Sequence, residues 1–308
     1  MNHLEQLLDS ITHVGSLLGI AGRIEQRMKR GEALHKWAVT PQLPQPGSPL
    51  AIADARFSED ISPALMSEIA LFPAMNAAEN LATAEYIIRG WNDSPKRRFS
   101  SLVTLTRAAL ESAARTVWVL SNTDPDVRHA RCLSLAASEL YEQSNYHTIE
   151  LTAHDTGVQV MSPERHTSFQ THTDDVARRQ QLVRALGPKR LPGYTSLVHE
   201  AAEWVGENTP VHDDNELSKV HFHTIAKGFY SIASSMVHGL QWAIEYVQDE
   251  RDAYAMVADS LAAAVNMAEV AVALYEAQAQ NPDSAEPRER LYPERLQPTI
   301  TEWAARYR

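Results

Sequence analysis

The chain has 308 residues, 44% of them hydrophobic, which is enough for one large globular domain or two ordinary ones. Its net charge of −11 at pH 7 argues against non-specific binding of nucleic acid or anionic membrane over a broad surface, although a local basic groove stays possible. Cys132 is the only cysteine, which excludes an intrachain disulfide and a cysteine-cluster metal site.

Neither a membrane span nor a targeting segment is indicated by the hydropathy pattern. No stretch reaches 18 uninterrupted apolar residues, and residues 1–5 lack the basic and apolar regions of a signal peptide. We therefore expect a soluble cytoplasmic protein with no membrane association.

The first part of the chain predicts a helical arm followed by a linker. Apolar residues recur with a helical period from the start of the chain: Leu4, Leu7, Leu8, Ile11, Val14, Leu17 and Leu18. This pattern predicts an arm over residues 1–39 that packs on the main body or on a second subunit. Residues 40–50 hold four prolines and predict an extended linker.

Helices dominate the predicted body over residues 51–280. Three dipeptides place a capping side chain before a proline, as at a helix start: Ser62-Pro63, Ser94-Pro95 and Asp124-Pro125. They predict helices that end near Trp91, Leu120 and Glu150. Residues 153–172 show no period and predict a loop. Further helices are predicted over residues 173–186, 194–205, 214–248 and 251–279.

The C-terminal tail, residues 281–308, predicts one short helix over residues 299–307. We find no convincing alternating strand pattern and no internal repeat. The predicted fold class is therefore all-α: an up-and-down helical bundle with an N-terminal helical arm.

A nearly charge-free segment spans residues 99–120. Its charged residues stand four positions apart: Arg107, Glu111 and Arg115. On a helix they share one side, and most of such a helix lies inside the protein. These charges then form either a semi-buried ion network or a clamp for an anion such as phosphate or carboxylate.

A second uncharged segment spans residues 228–244 and carries a line of polar and aromatic side chains: Tyr230, Ser234, His238 and Trp242. The pKa of a histidine lies near working pH, so His238 is a candidate general acid or base. The alternative is a structural histidine whose ring bonds Ser234, one turn earlier. The following Gly239 would let a ligand or another backbone approach.

Two loose groups of histidine and aspartate are candidate metal ligands. The first combines residues 212–214 with His221 and His223; the second comprises His166, His172, Asp174 and Asp175. On a helix His221 and His223 do not share a face, and neither group has the spacing of a zinc motif. We therefore expect no metal site and no cofactor.

Three short segments carry a resemblance to a known superfamily: LTRAALESAARTVWVL (residues 105–120), RHARCLSL (128–135) and YSIASSMVHG (230–239). They resemble a group of all-helical proteins common in actinobacteria, which is itself similar to the HEPN-like superfamily. The resemblance covers about residues 60–275. It implies an up-and-down helical bundle that often forms a homodimer.

Many proteins of this superfamily are metal-independent ribonucleases, in which an arginine and a histidine on one helix promote attack of a ribose 2′-hydroxyl on the adjacent phosphate. The resemblance assigns that histidine to His238. No arginine stands one turn before it, because residues 230–237 are uncharged. Arg107 or Arg115 would supply the cation if the two charge-poor helices pack face to face.

The resulting candidate site gives each residue a role. His238 is the acid or base, Arg107 and Arg115 clamp the anion, and Glu111 orients the arginines. Tyr230 and Ser234 position the histidine or the ligand.

Three functions are compatible with these patterns. The first is an RNA- or nucleotide-linked HEPN-like protein, in its catalytic form a ribonuclease effector of a toxin or phage-defence system. The second is a non-catalytic bundle that binds a nucleotide, another small ligand or a partner protein. The third is an oligomeric scaffold that docks through its N-terminal arm.

Overall fold

The computed structural model describes residues 3–92, 98–213 and 221–307, and of residues 3–14 and 92 it describes the backbone alone. These residues form eleven α-helices and three short 3₁₀ segments, with no β-strand among them. The prediction of an all-α helical bundle is confirmed. The helices are α1 (His3–Ala33), α2 (His35–Ala38), α3 (Pro49–Asp54), α4 (Leu65–Arg89), α5 (Phe99–Leu120), α6 (Pro125–Asp155), α7 (Pro163–Ala185), α8 (Tyr194–Glu207), α9 (Phe222–Val237), α10 (Glu250–Ala279) and α11 (Gln297–Ala304).

Helices α5 and α10 form the centre of the bundle. They pack against each other, and between them they contact α1, α4, α8, α9 and α11. Every residue of α10 from Ala263 to Ala279 is buried, because neighbours surround this half of the helix. Its many alanines let those neighbours approach closely, as close packing of a protein interior requires.

Length and composition alone would let α10 cross a membrane, yet it lies inside the protein. In its most apolar window, 89% of the residues are buried. Most polar groups of its second half have partners: Glu269 binds arginines, Glu276 accepts a hydrogen bond from Trp37, and Gln278 Nε2 donates to the carbonyl of Leu120, although Gln278 Oε1 has no hydrogen-bond partner among the described residues. Such pairing is what a buried polar group needs.

The predicted N-terminal arm packs on the body rather than away from it. Helix α1 lies on α10 and α4, with Ile20 and Ile24 buried in the common core. Its contacts follow the chain order of α10: Ser16 accepts from Arg251, and Arg30 pairs with Glu269 further along. The two helices therefore run parallel. The linker after α2 has no helix or strand over residues 41–45, as its prolines predict, then turns at residues 46–48, and α3 begins at Pro49 inside the predicted linker.

The helix-start signals have different outcomes. At Asp124-Pro125 the aspartate accepts from the Asp126 amide and α6 begins at Pro125, so this prediction is confirmed. The prediction at Ser62-Pro63 is wrong by two residues, because α4 begins only at Leu65; the Ser62 hydroxyl accepts from the Ala64 amide (3.2 Å) and donates to Glu68. Ser94-Pro95 lies outside the described residues, although the helix it was expected to open ends at Leu120 as predicted.

Two predicted elements are wrong. The expected loop over residues 153–172 contains the end of α6 and the start of α7, where Ser162 caps the first turn and Pro163 is its first residue. The expected helix over residues 214–248 ends at Val237, since Gly239 adopts a left-handed φ of 67° and Gln241–Tyr246 is a 3₁₀ segment. The helices predicted over 194–205 and 251–279 and the short helix of the tail are present as α8, α10 and α11.

Candidate functional site

The two charge-poor helices pack against each other and bring four of the predicted site residues together. The Arg107 Nε donates to the Ser234 hydroxyl (3.1 Å), and its Nη2 donates to the Tyr230 hydroxyl (3.2 Å). The same Nη2 lies 3.1 Å from Glu111 Oε2, to which the Tyr230 hydroxyl also donates (2.8 Å). We call Arg107, Glu111, Tyr230 and Ser234 the α5–α9 cluster.

The opposite charges of the α5–α9 cluster are paired with each other inside the cluster. The side chains of Arg107 and Glu111 are only 18% and 22% exposed, and the guanidinium also lies over the Tyr230 ring, 5.0 Å from its centroid. Burial, with the neighbouring Glu111 carboxylate, raises the pKa of Tyr230, so the phenol stays protonated as the donor to that carboxylate. The Arg107 charge is thus already compensated by Glu111.

Arg115 does not join this cluster. One helical turn beyond Glu111, it turns to α6 and pairs with Glu139 (2.6 Å). Burial raises the pKa of Glu139, and the Arg115 charge offsets only part of that effect. The expected pair of arginines at one anion is therefore divided between two helix interfaces.

His238 lies at the end of α9, where the helix stops. His238 is the C-cap residue of α9. Its backbone amide donates to the Ser234 carbonyl, and its side chain is exposed. Within the described part of the chain its ring makes no hydrogen bond, and neither Arg107 nor Arg115 contacts it. Because the helix ends here, Trp242 does not continue the polar line. An acid–base pair of His238 with a clamping arginine is not preformed.

The histidine groups are distributed differently from the two sets considered as metal ligands. His212 points inward to Thr299 and Glu269, and His172 bonds Gln143. Among the described residues, three side chains that can ligate a metal do approach one another: His154, Asp155 and His166. The His154 Nδ1, however, already accepts the Met161 amide (3.0 Å), so a metal would compete with that bond.

The structure also contains a site that the sequence did not indicate. A cavity of about 780 Å³ lies where α6 begins, α10 ends and the linker and tail cross, and we call it the arginine cavity. The guanidinium-bearing residues in its wall are Arg56, Arg128, Arg288, Arg290 and Arg306. The only acidic residue among its described lining is Asp283. In a chain of net charge −11, this is a local concentration of positive charge.

Sequence patterns could not have revealed this cavity, because its wall comes from distant parts of the chain. The linker and α3, the start of α6, the end of α10, and the tail with α11 each contribute lining residues. The only signals were the arginines and prolines of the tail and the helix start at Asp124-Pro125, and neither pattern is specific for a ligand site.

Comparison with known proteins adds no relative. No family model, no curated protein and no solved structure matches this chain. The HEPN-like assignment therefore stays a prediction from short motifs, and the site must be argued from its own geometry.

Proposed function

We propose that this protein is a non-catalytic, nucleotide-linked binding protein that holds a small organic molecule of nucleotide size in the arginine cavity. The observation that carries the proposal is the cavity itself. Its volume of about 780 Å³ lies within the range of about 300–1,000 Å³ that is typical of small-molecule sites. Apolar groups such as Ile52 and Tyr292 line it together with the polar ones, as in other ligand sites.

The wall of this cavity is held in place by hydrogen bonds between the linker and the tail. The Gln45 amide donates to the Ala279 carbonyl (2.9 Å), and the Asn281 amide donates to Gln45 Oε1 (2.9 Å). Asn281 Nδ2 donates to the Pro46 carbonyl (2.8 Å). A wall tied in this way is preorganised, which lowers the entropic cost of binding.

Gly47 in the same wall explains why the linker can pass so close to the tail. Its φ is 78°, a conformation that favours glycine, and a Cβ there would lie 2.9 Å from Asn281 Nδ2. The sequence around Gly47 thus specifies the shape of the cavity.

Binding is better supported than ribonuclease catalysis. In the α5–α9 cluster the Arg107 donors are engaged by Ser234, Tyr230 and Glu111. His238 stands apart and exposed. A general acid or base needs a positioned partner and a held substrate, which the arrangement at His238 does not supply.

A cavity-filling substitution tests this proposal. Ala304 lines the arginine cavity, whereas its neighbour Ala305 is exposed and does not, so Ala304→Trp and Ala305→Trp form a matched pair. Wild type and both variants are titrated by calorimetry with adenosine, guanosine, cytidine and uridine and with their 5′-monophosphates. We expect saturable binding of at least one probe to wild type and Ala305→Trp, and its loss in Ala304→Trp. Equal binding by all three proteins, or no binding by wild type, would refute the proposal.

A further inference from the structure

We infer that the ligand of the arginine cavity carries a phosphate group, and that Arg128 and Arg290 are the residues that select it. This inference rests on the proposed function, because it assigns the chemical class of the molecule bound there. It does not depend on the α5–α9 cluster or on His238.

Arg128 is a buried cation without a carboxylate partner. Only 5% of the residue is exposed, and no described acidic group forms an ion pair with it. Its Nη1 donates to the carbonyls of Asn122 (2.7 Å) and Thr123 (3.0 Å), and the guanidinium lies over the Tyr307 ring. These contacts hold the group in place without an ion pair, and the Asp124 charge offsets only part of the effect of its burial.

A buried charge without an ion pair is energetically unfavourable, and the pKa of Arg128 is lowered accordingly. Burial lowers the pKa of Arg128 and the nearby Arg56 charge lowers it further, while Tyr307 and the Asp124 charge offset part of this effect. Structural arginines normally reach a carboxylate when they are buried. An arginine held beside a second arginine at the wall of a cavity is the arrangement expected of an anion site.

Arg290 supplies a second free charge at the same cavity. It is exposed, and among the described residues it has neither a hydrogen-bond nor an ion-pair partner. Arg56 is less free, because its Nη2 lies 2.6 Å from Asp126 Oδ1; yet that pair is 36% and 80% exposed, so it is weak and easily exchanged for a ligand.

The other two arginines have structural roles. Arg288 is held by Glu276 (2.8 Å) and donates to the carbonyls of Gln42 and Leu43, which ties the tail to the linker. Arg306 pairs with Glu302 on its own helix and donates to Asn208. Arg128 and Arg290 are therefore the arginines of the wall without an ion pair among the described residues, and Arg56 has only an exposed one.

Two cations without ion-pair partners match the charge of one phosphate group better than that of one carboxylate. A phosphate monoester carries a charge of about −1.5 to −2 near neutral pH, with three acceptor oxygens for guanidinium donors. Arg128 has donors on Nε and Nη2 that make no bond to the described residues. The apolar part of the wall is left to hold the organic part of the molecule.

The test compares matched probes on matched variants of the full chain. The probes are adenosine, AMP, inorganic phosphate and citrate, titrated by calorimetry at constant ionic strength. The variants are Arg128→Lys, which keeps the charge but loses the planar fork, and Arg290→Ala. Arg165→Ala is the control, because Arg165 is an exposed arginine in the first turn of α7 with no side-chain partner among the described residues, and it does not line the arginine cavity. A melting curve for each variant shows whether it is folded.

We expect AMP to bind at least about tenfold more tightly than adenosine, since hydrogen bonds to charged groups have that order of effect. Arg290→Ala and Arg128→Lys should each weaken AMP binding by about tenfold and leave adenosine binding unchanged. If inorganic phosphate displaces AMP at a comparable concentration, the cavity binds the free anion. If AMP binds more tightly than inorganic phosphate, the cavity binds an organic phosphate. Both results support the inference.

Three results would overturn it: equal affinity for AMP and adenosine, tighter binding of citrate than of either phosphate probe, or AMP binding that neither arginine variant changes. One result would leave the proposed function intact while this inference fails. If adenosine binds and is lost in Ala304→Trp while AMP has no advantage, the protein is a ligand-binding bundle without a phosphate site. If no probe binds to wild type, both proposals fall.

Discussion

Glu269 is a fully buried carboxylate at which three separate parts of the chain meet. Arg30 of α1 approaches it within 2.6 Å, Arg295 of the tail within 3.3 Å and His212 within 3.4 Å. Burial alone would raise its pKa, but the hydrogen bond from His212 and the charges of Arg30 and Arg295 lower the pKa to about 2. The network therefore stabilises the folded chain only while Glu269 is ionised.

We expect Glu269→Gln to reduce the free energy of unfolding by about 3–5 kcal/mol, because it removes the buried carboxylate from its ion pairs with the partly buried Arg30 and Arg295. In wild type, a carboxylate whose folded pKa is lowered stabilises the protein above its ordinary pKa of about 4.3. That contribution is lost as the pH falls towards the folded pKa of about 2. Urea unfolding at pH 7 and at pH 3 measures both effects, and the variant should show the smaller loss between these pH values.

Glu25→Gln is the matched control for this prediction. Glu25 also pairs with a basic side chain, Lys29 at 2.7 Å, but both groups are exposed on α1. Exposed pairs of this kind contribute little. The unfolding midpoint of Glu25→Gln should stay at the wild-type value, and an equal loss in both variants would contradict a special role for the buried network.

Individual residues of the two candidate sites differ in how far the sequence predicts them. The pairing of Arg107 with Tyr230 and Ser234 follows from one argument: lone polar groups on apolar helices must meet other polar groups. Arg128 gave no such signal. An arginine one turn into a helix is ordinarily solvated, and only the packing of Tyr307 from the other end of the chain makes it buried.

Among the elements, helix interiors were predictable and helix ends were not. A proline after a capping residue opens α6 at Asp124 and α7 at Ser162, yet the same dipeptide at Ser62 does not open α4. The start of α7 was missed because its exposed first turns have no apolar period; only Val176 and Val183 of this helix are buried. The end of α9 depends on Gly239, whose φ of 67° cannot be read from composition.

Helices α6 and α7 form a hairpin whose interface is rich in histidine. His147 is buried with its Nδ1 unpartnered, and its ring centroid lies 5.0 Å from that of His172. Nearer the turn, the rings of His154 and His166 are stacked 4.4 Å apart. Burial and the neighbouring His172 lower the pKa of His147. Protonation of His147 is thus opposed in the folded hairpin.

We expect the α6–α7 hairpin to loosen as the pH falls below about 6.5, the ordinary pKa of histidine. A histidine whose folded pKa is lowered binds protons more readily when unfolded, so its contribution to stability is present above that pH and is lost below it. Hydrogen exchange of α7 at pH 7.5 and 5.5, corrected for the intrinsic exchange rate, measures the opening. Amides of α7 should lose protection at pH 5.5.

Helix α5 serves as the internal reference for this measurement, since it contains no histidine and packs in the centre of the bundle. His147→Phe removes the titrating group at the buried position and should reduce the pH dependence in α7. Protection of α5 and α7 that falls equally would indicate global acid unfolding instead. Unchanged protection of α7 at both pH values would show that these histidines do not control the hairpin.

At the scale of the whole molecule, the sequence predicts the class of fold but not how its ends meet. Periodicity is local, so it identified the N-terminal helix and the proline linker. It could not show that Trp37 donates to Glu276 of α10 or that Arg288 of the tail joins the same carboxylate. The Trp37–Glu276 contact joins residues 239 positions apart. Arg288, which binds the same carboxylate, also lines the arginine cavity.

We expect removal of residues 1–39 to abolish cooperative folding, even though a helix before a linker is normally dispensable. The deletion uncovers the apolar face that buries Ile20, Ile24 and Leu34, and it takes Arg30 from Glu269 and Trp37 from Glu276. Glu269 keeps Arg295 and His212, and Glu276 keeps Arg288, but breaking part of a buried network and exposing apolar surface destabilises strongly. Circular dichroism with thermal melting distinguishes the outcomes. A chain lacking only residues 1–13 keeps all of these contacts and should melt cooperatively near the wild-type temperature, whereas a sharp transition in the 40–308 fragment would show that the body folds without the arm and would contradict the prediction.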